Sequence, residues 1–150
     1  MKLKIPPAIQ VALFATLMWI IKKSTTITHF EFELQRVVSW IIFGIGIAIE
    51  IIAIYAFRKA HTTANPLHPN KASTLVIVSI YKVSRNPMYL GMFFILLAFA
   101  VRLGNLFTFP VVILYVWYIT TFQIKPEEKI LAELFGNDYS IYCKKVRRWI

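Results

Sequence analysis

Two short stretches carry the residues best suited to chemistry: "SRNPMYLG", Ser84–Gly91, and "PEE", Pro126–Glu128. Arg85, Asn86 and Tyr89 place a cation, an amide and a phenol just ahead of an apolar run. As local structure, Asn86 reads as a helix N-cap, Pro87 as the first helical residue and Tyr89 as an interfacial anchor. Glu127 and Glu128 likewise suit a first helical turn, where carboxylates complement the dipole. The chemical alternative is a ligand site. Exposed N–H groups at a helix start hold a small carboxylate, and an ionised Glu accepts hydrogen bonds from a diol or an amine. Metal chemistry has no support, because His61 and His68 sit seven apart in a proline-interrupted loop and Cys143 is the single cysteine.

The elements that must position these groups are apolar. Of 150 residues, 58% are hydrophobic, and the mean hydropathy is +0.63, too apolar for an ordinary soluble domain. Four runs approach the roughly 20 residues needed to cross a bilayer as a helix: Ile5–Ile21, Val37–Phe57, Met88–Val101 and Leu106–Ile124. The last two form a hairpin around "RLGN". No small-residue cleavage pattern follows the first run, so it reads as a retained helix and not a signal peptide. Glu50 lies about two thirds of the way along the second, where a carboxylate is expensive unless it is paired, protonated or facing a cavity. Gly44 and Gly46 allow close helix approach.

The net charge of +10 is distributed topologically. With four crossings, 13 of the 17 Lys and Arg fall on the side of the N-terminus, the 58–87 loop and the C-terminal tail. The positive-inside pattern makes that side cytoplasmic and nucleic acid an unlikely partner. The expectation is an all-α integral membrane protein: one domain, with two N-terminal spans over 1–57 and a core over 58–150. Four thin spans leave room for self-association.

The loop 58–87 contains no acidic residue, and Pro66, Pro69 and Pro87 break helices in it. Its apolar run "TLVIVSIY", Thr74–Tyr81, is too short to span and is expected to pack extended or re-entrant against the helices. The tail 125–150 reads as two short helices, the first opened by Pro126 and closed by Gly136. Tyr139, Tyr142, Val146 and Trp149 make one apolar stripe flanked by Lys144, Lys145, Arg147 and Arg148. That pattern predicts an amphipathic helix lying on an anionic leaflet.

The hairpin returns Glu127 to the membrane face that holds Asn86. A helix start for a carboxylate, a glutamate for a ribose or an amine, and Tyr81 as a wall for a base together suit a zwitterionic nucleoside such as S-adenosylmethionine. The ordered set "TLV", "IY", "SRNPMYLG", "PEE", "FGNDYSIY" and "VRRW" resembles the isoprenylcysteine carboxyl methyltransferase family, which is related to the membrane phospholipid N-methyltransferases. The resemblance covers roughly residues 58–150. It implies a helical membrane enzyme that uses S-adenosylmethionine, releases S-adenosylhomocysteine and methylates a lipophilic acceptor, a prenylcysteine-type carboxylate or a phospholipid amine. Carried over onto matching positions, the cofactor segment is Ser73, Thr74, Leu75, Val76, Tyr81, Asn86, Pro87, Met88, Tyr89 and Glu127. Arg85 would orient an anionic acceptor, and Glu128, with the 139–149 helix, would close the pocket. An amine acceptor must first lose a proton, in which Glu128 or Tyr89 would assist. Two positions differ from the family pattern: "RHP" is common where this chain has Arg85-Asn86-Pro87, and eukaryotic members carry an arginine where it has Gln123. Two other classes are compatible with the composition: a non-enzymatic membrane subunit or transporter, and a reductase of the membrane sterol type, which the short chain disfavours.

Overall fold

The computed structural model describes residues 5–25, 28–60 and 74–150, and among these the regular structure is helical apart from two isolated bridges. The order is α1 (Pro7–Ser24), α2 (Gln35–Lys59), a 3-10 turn (Ser79–Lys82), α3 (Pro87–Leu103), α4 (Thr108–Ile119), a π turn (Thr120–Ile124) and α5 (Lys125–Lys145). The four apolar runs thus fall on helices, with boundaries shifted by a few residues.

α2 and α3 form the most extensive pair. Gly46 and Gly91 make their approach possible, because a Cβ on Gly46 would lie 2.8 Å from the Gly91 carbonyl oxygen. α1 and α4 pack on the other side of α3, burying Met18, Leu96, Val112, Tyr115 and Ile119. At the far end of the hairpin, Gly104 in the left-handed conformation ends α3. The buried Asn105 then ties the α3–α4 turn to α1, donating to the Thr25 carbonyl (3.1 Å) and hydroxyl (2.9 Å) and accepting from Thr28 and the Phe107 N–H.

Large apolar side chains cover the outside: Ile9, Leu13 and Ile20 on α1, Trp40, Ile41 and Ile51 on α2, Ile113 and Trp117 on α4. Among the described residues, α2 is the helix long and apolar enough to cross a membrane, with a mean hydropathy of 2.5 over its most apolar stretch. Only 17% of that stretch is buried, which is the opposite of a soluble core helix. α3 is a shorter apolar helix of 17 residues.

Two expectations need correction. α4 does not end before Pro126. It runs through the π turn directly into α5, and the wider turn accommodates a proline that lacks an N–H and crowds the preceding carbonyl. The second concerns the tail. α5 does break at Gly136 (φ 50°, ψ −117°), as expected, but it ends at Lys145, and Val146 is extended. Tyr139, Tyr142 and Val146 are buried against Leu75, Leu131 and Phe135. The apolar stripe therefore faces the protein and not a leaflet. Helical spacing marks an apolar face but not what covers it.

Candidate active site

Beyond the break at Gly136, the second half of α5 packs against the 74–86 segment. The apolar run 74–81 packs on the helices as expected: Val76 and Tyr81 are buried with Ala53 and Ala56 of α2. The Tyr81 ring meets Phe57 edge-on, with centroids 5.3 Å apart. Tyr142 fixes the segment from the other side, its hydroxyl donating to the Tyr81 carbonyl oxygen at 2.6 Å. Burial raises both phenols above their ordinary range, so they remain neutral.

These contacts enclose one small cavity. Thr74, Leu75, Val76, Tyr81, Arg85, Asn86, Glu127 and Glu128 all line it, together with Phe57, Leu131, Phe135, Tyr139 and Tyr142. Pro87, Met88 and Tyr89 stand behind the lining. Pro87 is fully buried, Met88 packs beside Val76 and Tyr81, and Tyr89 is buried beneath Glu127. Ser73 lies outside the described residues, as do His61 and His68.

Asn86 occupies the N-cap position of α3, but its side chain makes no capping bond. Its Nδ2 instead donates to the Arg148 carbonyl oxygen (3.0 Å), and the Asn86 N–H is taken by the Ser84 hydroxyl (3.1 Å). The first turn of α3 therefore points uncapped N–H groups toward this end of the bundle. Glu127 receives hydrogen bonds on Oε1 from the Tyr89 hydroxyl (2.6 Å) and Gln123 Nε2 (3.0 Å). Burial pushes its pKa up to about 7, against the pull of those two donors and with a further push from the Glu128 charge. Near neutral pH this carboxyl therefore exchanges a proton readily.

Glu128 is the centre of a clamp. Arg85 Nη2 reaches Oε1 at 2.8 Å, and Arg148 binds both oxygens, with Nη2 2.7 Å from Oε2. Contact with Glu128 raises the pKa of Arg148 further. The extended residues 146–149 lie along 84–86: the Arg85 N–H donates to the Arg147 carbonyl (3.0 Å), and Trp149 Nε1 donates to the Thr120 hydroxyl (3.2 Å) at the π turn. Arg148 and Trp149 thus lie on an extended segment beside the cavity, where the sequence reading expected a Tyr139–Trp149 helix closing the pocket. The adjacent run "VRRWI" carried no signal for an extended strap beyond its terminal place in the family pattern.

The residue types fit S-adenosylmethionine: uncapped N–H groups for its carboxylate, Glu127 for its hydroxyl or amino groups, and an aromatic and aliphatic wall for its base. The space is narrower. The cavity measures about 60 Å³, room for about two waters, whereas small-molecule pockets are ~300–1,000 Å³. A groove of about 660 Å³ abuts it, sharing Thr74, Leu75, Phe135 and Tyr142. Admission of a nucleoside therefore requires the cavity lining to open toward that groove.

Comparison with known proteins places the sequence in a family. An uncharacterised protein of Haemophilus influenzae is 44% identical over 63 residues, 42% of this chain and the whole of that one. Protein-S-isoprenylcysteine O-methyltransferases of Schizosaccharomyces pombe (36% identical, 51% of this chain) and Saccharomyces cerevisiae (32%, 57%) also match. The matched regions are 33% and 37% of those two proteins, so the chain spans about a third of the length of its yeast relatives. No solved structure shows a significant match. The phospholipid methyltransferase family pattern matches residues 34–138, more than two thirds of the sequence and all of the described cavity lining except Tyr139 and Tyr142. The chain belongs to the phospholipid methyltransferase family, related to the isoprenylcysteine methyltransferases that its motifs resemble.

Proposed function

We propose that this chain is an integral membrane methyltransferase that uses S-adenosylmethionine and acts on a lipophilic acceptor. The observation that carries this reading is the convergence of Asn86 with the uncapped start of α3, Glu127, and the Leu75–Tyr81–Phe135 wall on one cavity. These groups arrive from sequence positions more than fifty residues apart. When bound, S-adenosylmethionine supplies a methyl group on a sulfonium that is already activated for in-line transfer. The chain's own residues then have three tasks. The N–H groups of α3 and Glu127 hold the polar ends of the ligand, Phe57, Leu75, Tyr81 and Phe135 take its base, and the 146–149 strap excludes water once closed.

The chain crosses the bilayer four times with both termini and the cavity at the cytoplasmic face. This reading is supported by the 13 basic residues on that side and by the apolar outer faces of α1, α2 and α4. The acceptor reaches the site laterally, from lipid. The first test is calorimetric binding of S-adenosylmethionine and S-adenosylhomocysteine to the purified protein, with Glu127→Ala and Asn86→Ala alongside. Micromolar binding, about −8 kcal/mol, weakened in both variants, is the expected result. A folded protein that binds neither ligand in detergent or lipid would make the site a plain helix start in a non-enzymatic membrane subunit.

A further inference from the structure

Behind Glu127 lies a row of two buried amides. Gln123, in the π turn, is 2% exposed, and its Nε2 donates to Glu127 Oε1 at 3.0 Å. Gln10, in the first turn of α1, is 4% exposed, and its Nε2 donates to Gln123 Oε1 at 3.4 Å. The same Gln10 Nε2 also donates to the Ile5 carbonyl oxygen at 2.8 Å. That carbonyl stands just ahead of Pro6 and Pro7, whose rings fix the backbone at the start of α1. Both N–H groups of the Gln10 amide are thereby engaged, and its Oε1 is left buried without a partner.

A side-chain amide has one accepting and one donating end, and along this row each orientation is set by the partner before it. Turned over, Gln10 would set its oxygen against the Ile5 carbonyl oxygen. With Gln10 held, a turned Gln123 would face the Gln10 N–H with its own N–H. It would also offer Glu127 an oxygen that only a protonated carboxyl could bond. The row therefore delivers a donor to Glu127, which favours the ionised carboxylate. An orphaned oxygen in an apolar bundle is costly. An apolar side chain of the same length at position 10 would avoid that cost, so what the amide contributes is its N–H groups. The other groups that act on Glu127 are the Tyr89 hydroxyl, the Glu128 charge and Tyr81 across the cavity, with Arg85 bound to Glu128. All of these fall within the stretch that matches the family pattern, whereas α1 lies outside it.

We infer that Gln10 is a positioning residue of the methyl-donor site, orienting the Gln123 amide so that Glu127 is held as an acceptor for the ligand's hydroxyl or amino groups. The inference takes the identity of the ligand from the methyltransferase reading, but the effect on Glu127 is measured without any ligand. Protein carrying glutamate isotopically labelled at the carboxyl carbon is titrated in detergent micelles between roughly pH 5 and pH 9. The Glu127 resonance, identified by its loss in Glu127→Gln, is followed by NMR in the parent, Gln10→Met, Gln123→Met and the double variant. S-adenosylhomocysteine binding is measured in parallel on the parent and Gln10→Met.

From about 7 in the parent, the Glu127 midpoint is expected to move up by about half a pH unit or more in Gln10→Met. Gln123→Met moves it in the same direction, and adding Gln10→Met to that variant moves it no further, as for two residues that act through one bond. S-adenosylhomocysteine binding by Gln10→Met weakens about threefold at roughly pH 6 and stays at the parent level at roughly pH 9. An unmoved or lowered midpoint in Gln10→Met, or a further full shift in the double variant, overturns the inference while leaving the methyltransferase reading intact. Absence of S-adenosylhomocysteine binding in the parent overturns that reading instead, and the midpoints still decide the role of Gln10. If Gln10→Met does not fold, Gln10→Asn decides in the same way, since it keeps an amide but is one methylene too short to reach both partners.

Discussion

Tyr89 and Glu127 are joined by a 2.6 Å hydrogen bond between α3 and α5, and this bond connects the two motifs that lie 38 residues apart. It also opposes the burial that raises the pKa of Glu127. Glu127 is raised from its ordinary 4.5 to about 7, so between those values the folded protein binds a proton that the unfolded chain has released. Stability therefore falls as pH rises through that window, by on the order of 3 kcal/mol at most. Ligand affinity runs the other way, because a hydroxyl or ammonium donor requires the ionised carboxylate. S-adenosylhomocysteine binding should strengthen by about tenfold between roughly pH 6 and pH 8, and Glu127→Gln should flatten both profiles. Calorimetry and thermal unfolding across the pH series check the two slopes.

Removing the Tyr89 hydroxyl takes away one of the two donors that hold the Glu127 carboxylate. In Tyr89→Phe the midpoint of the affinity–pH profile should move upward by about one pH unit, since a hydrogen bond to the charged form favours it by about 1.5 kcal/mol. A midpoint that stays in place would mean that burial and the Gln123 donor set the titration without Tyr89.

The Glu128 clamp is asymmetric. Arg85 and Glu128 are largely buried, with side-chain exposures of 11% and 15%, whereas Arg148 is 36% exposed. Glu128→Ala strands a buried guanidinium whose Nε already lacks a partner, and should cost about 3 kcal/mol. Arg148→Ala removes a screened partner and should cost only about 0.5–1 kcal/mol. Its main effect is kinetic: with the strap loosened, S-adenosylhomocysteine should dissociate faster, and protease should cut after Lys144 or Lys145 more readily. Denaturation midpoints and limited proteolysis separate the two variants.

Much of this was legible in the residues themselves. Apolar runs bounded by Pro6–Pro7, Asn86–Pro87 and Gly104 set α1 and α3 within a few positions, because proline and glycine act through local backbone sterics. The meeting of Asn86 with Glu127 followed from the short hairpin between them. What was not legible depends on tertiary partners. Whether Asn86 caps its helix or bonds the Arg148 carbonyl is decided by a segment sixty residues away. Tyr139, Tyr142 and Val146 have the same spacing whether they face lipid or Leu75. Glu50 was conspicuous in an apolar helix, but that it packs against Gly91 of α3 depends on the tertiary fold.

The α2–α3 contact offers a test with an internal control. A Cβ on Gly46 would stand 2.8 Å from the Gly91 carbonyl oxygen and 3.1 Å from Ile95 Cγ1, and the backbone oxygen cannot move aside. A Cβ on Gly44, two residues earlier on the same helix, would meet nothing within 4 Å. Gly46→Ala must push α2 and α3 apart, at a cost of about 1–3 kcal/mol. Gly44→Ala should be neutral, or stabilise by up to about 1 kcal/mol through helix propensity. Separating the helices also withdraws Glu50 from Gly91, against which its side chain packs. In detergent unfolding, Gly46→Ala should therefore lose stability while Gly44→Ala does not. Equal behaviour of the two variants would show that the helices tolerate separation and that the close approach positions nothing.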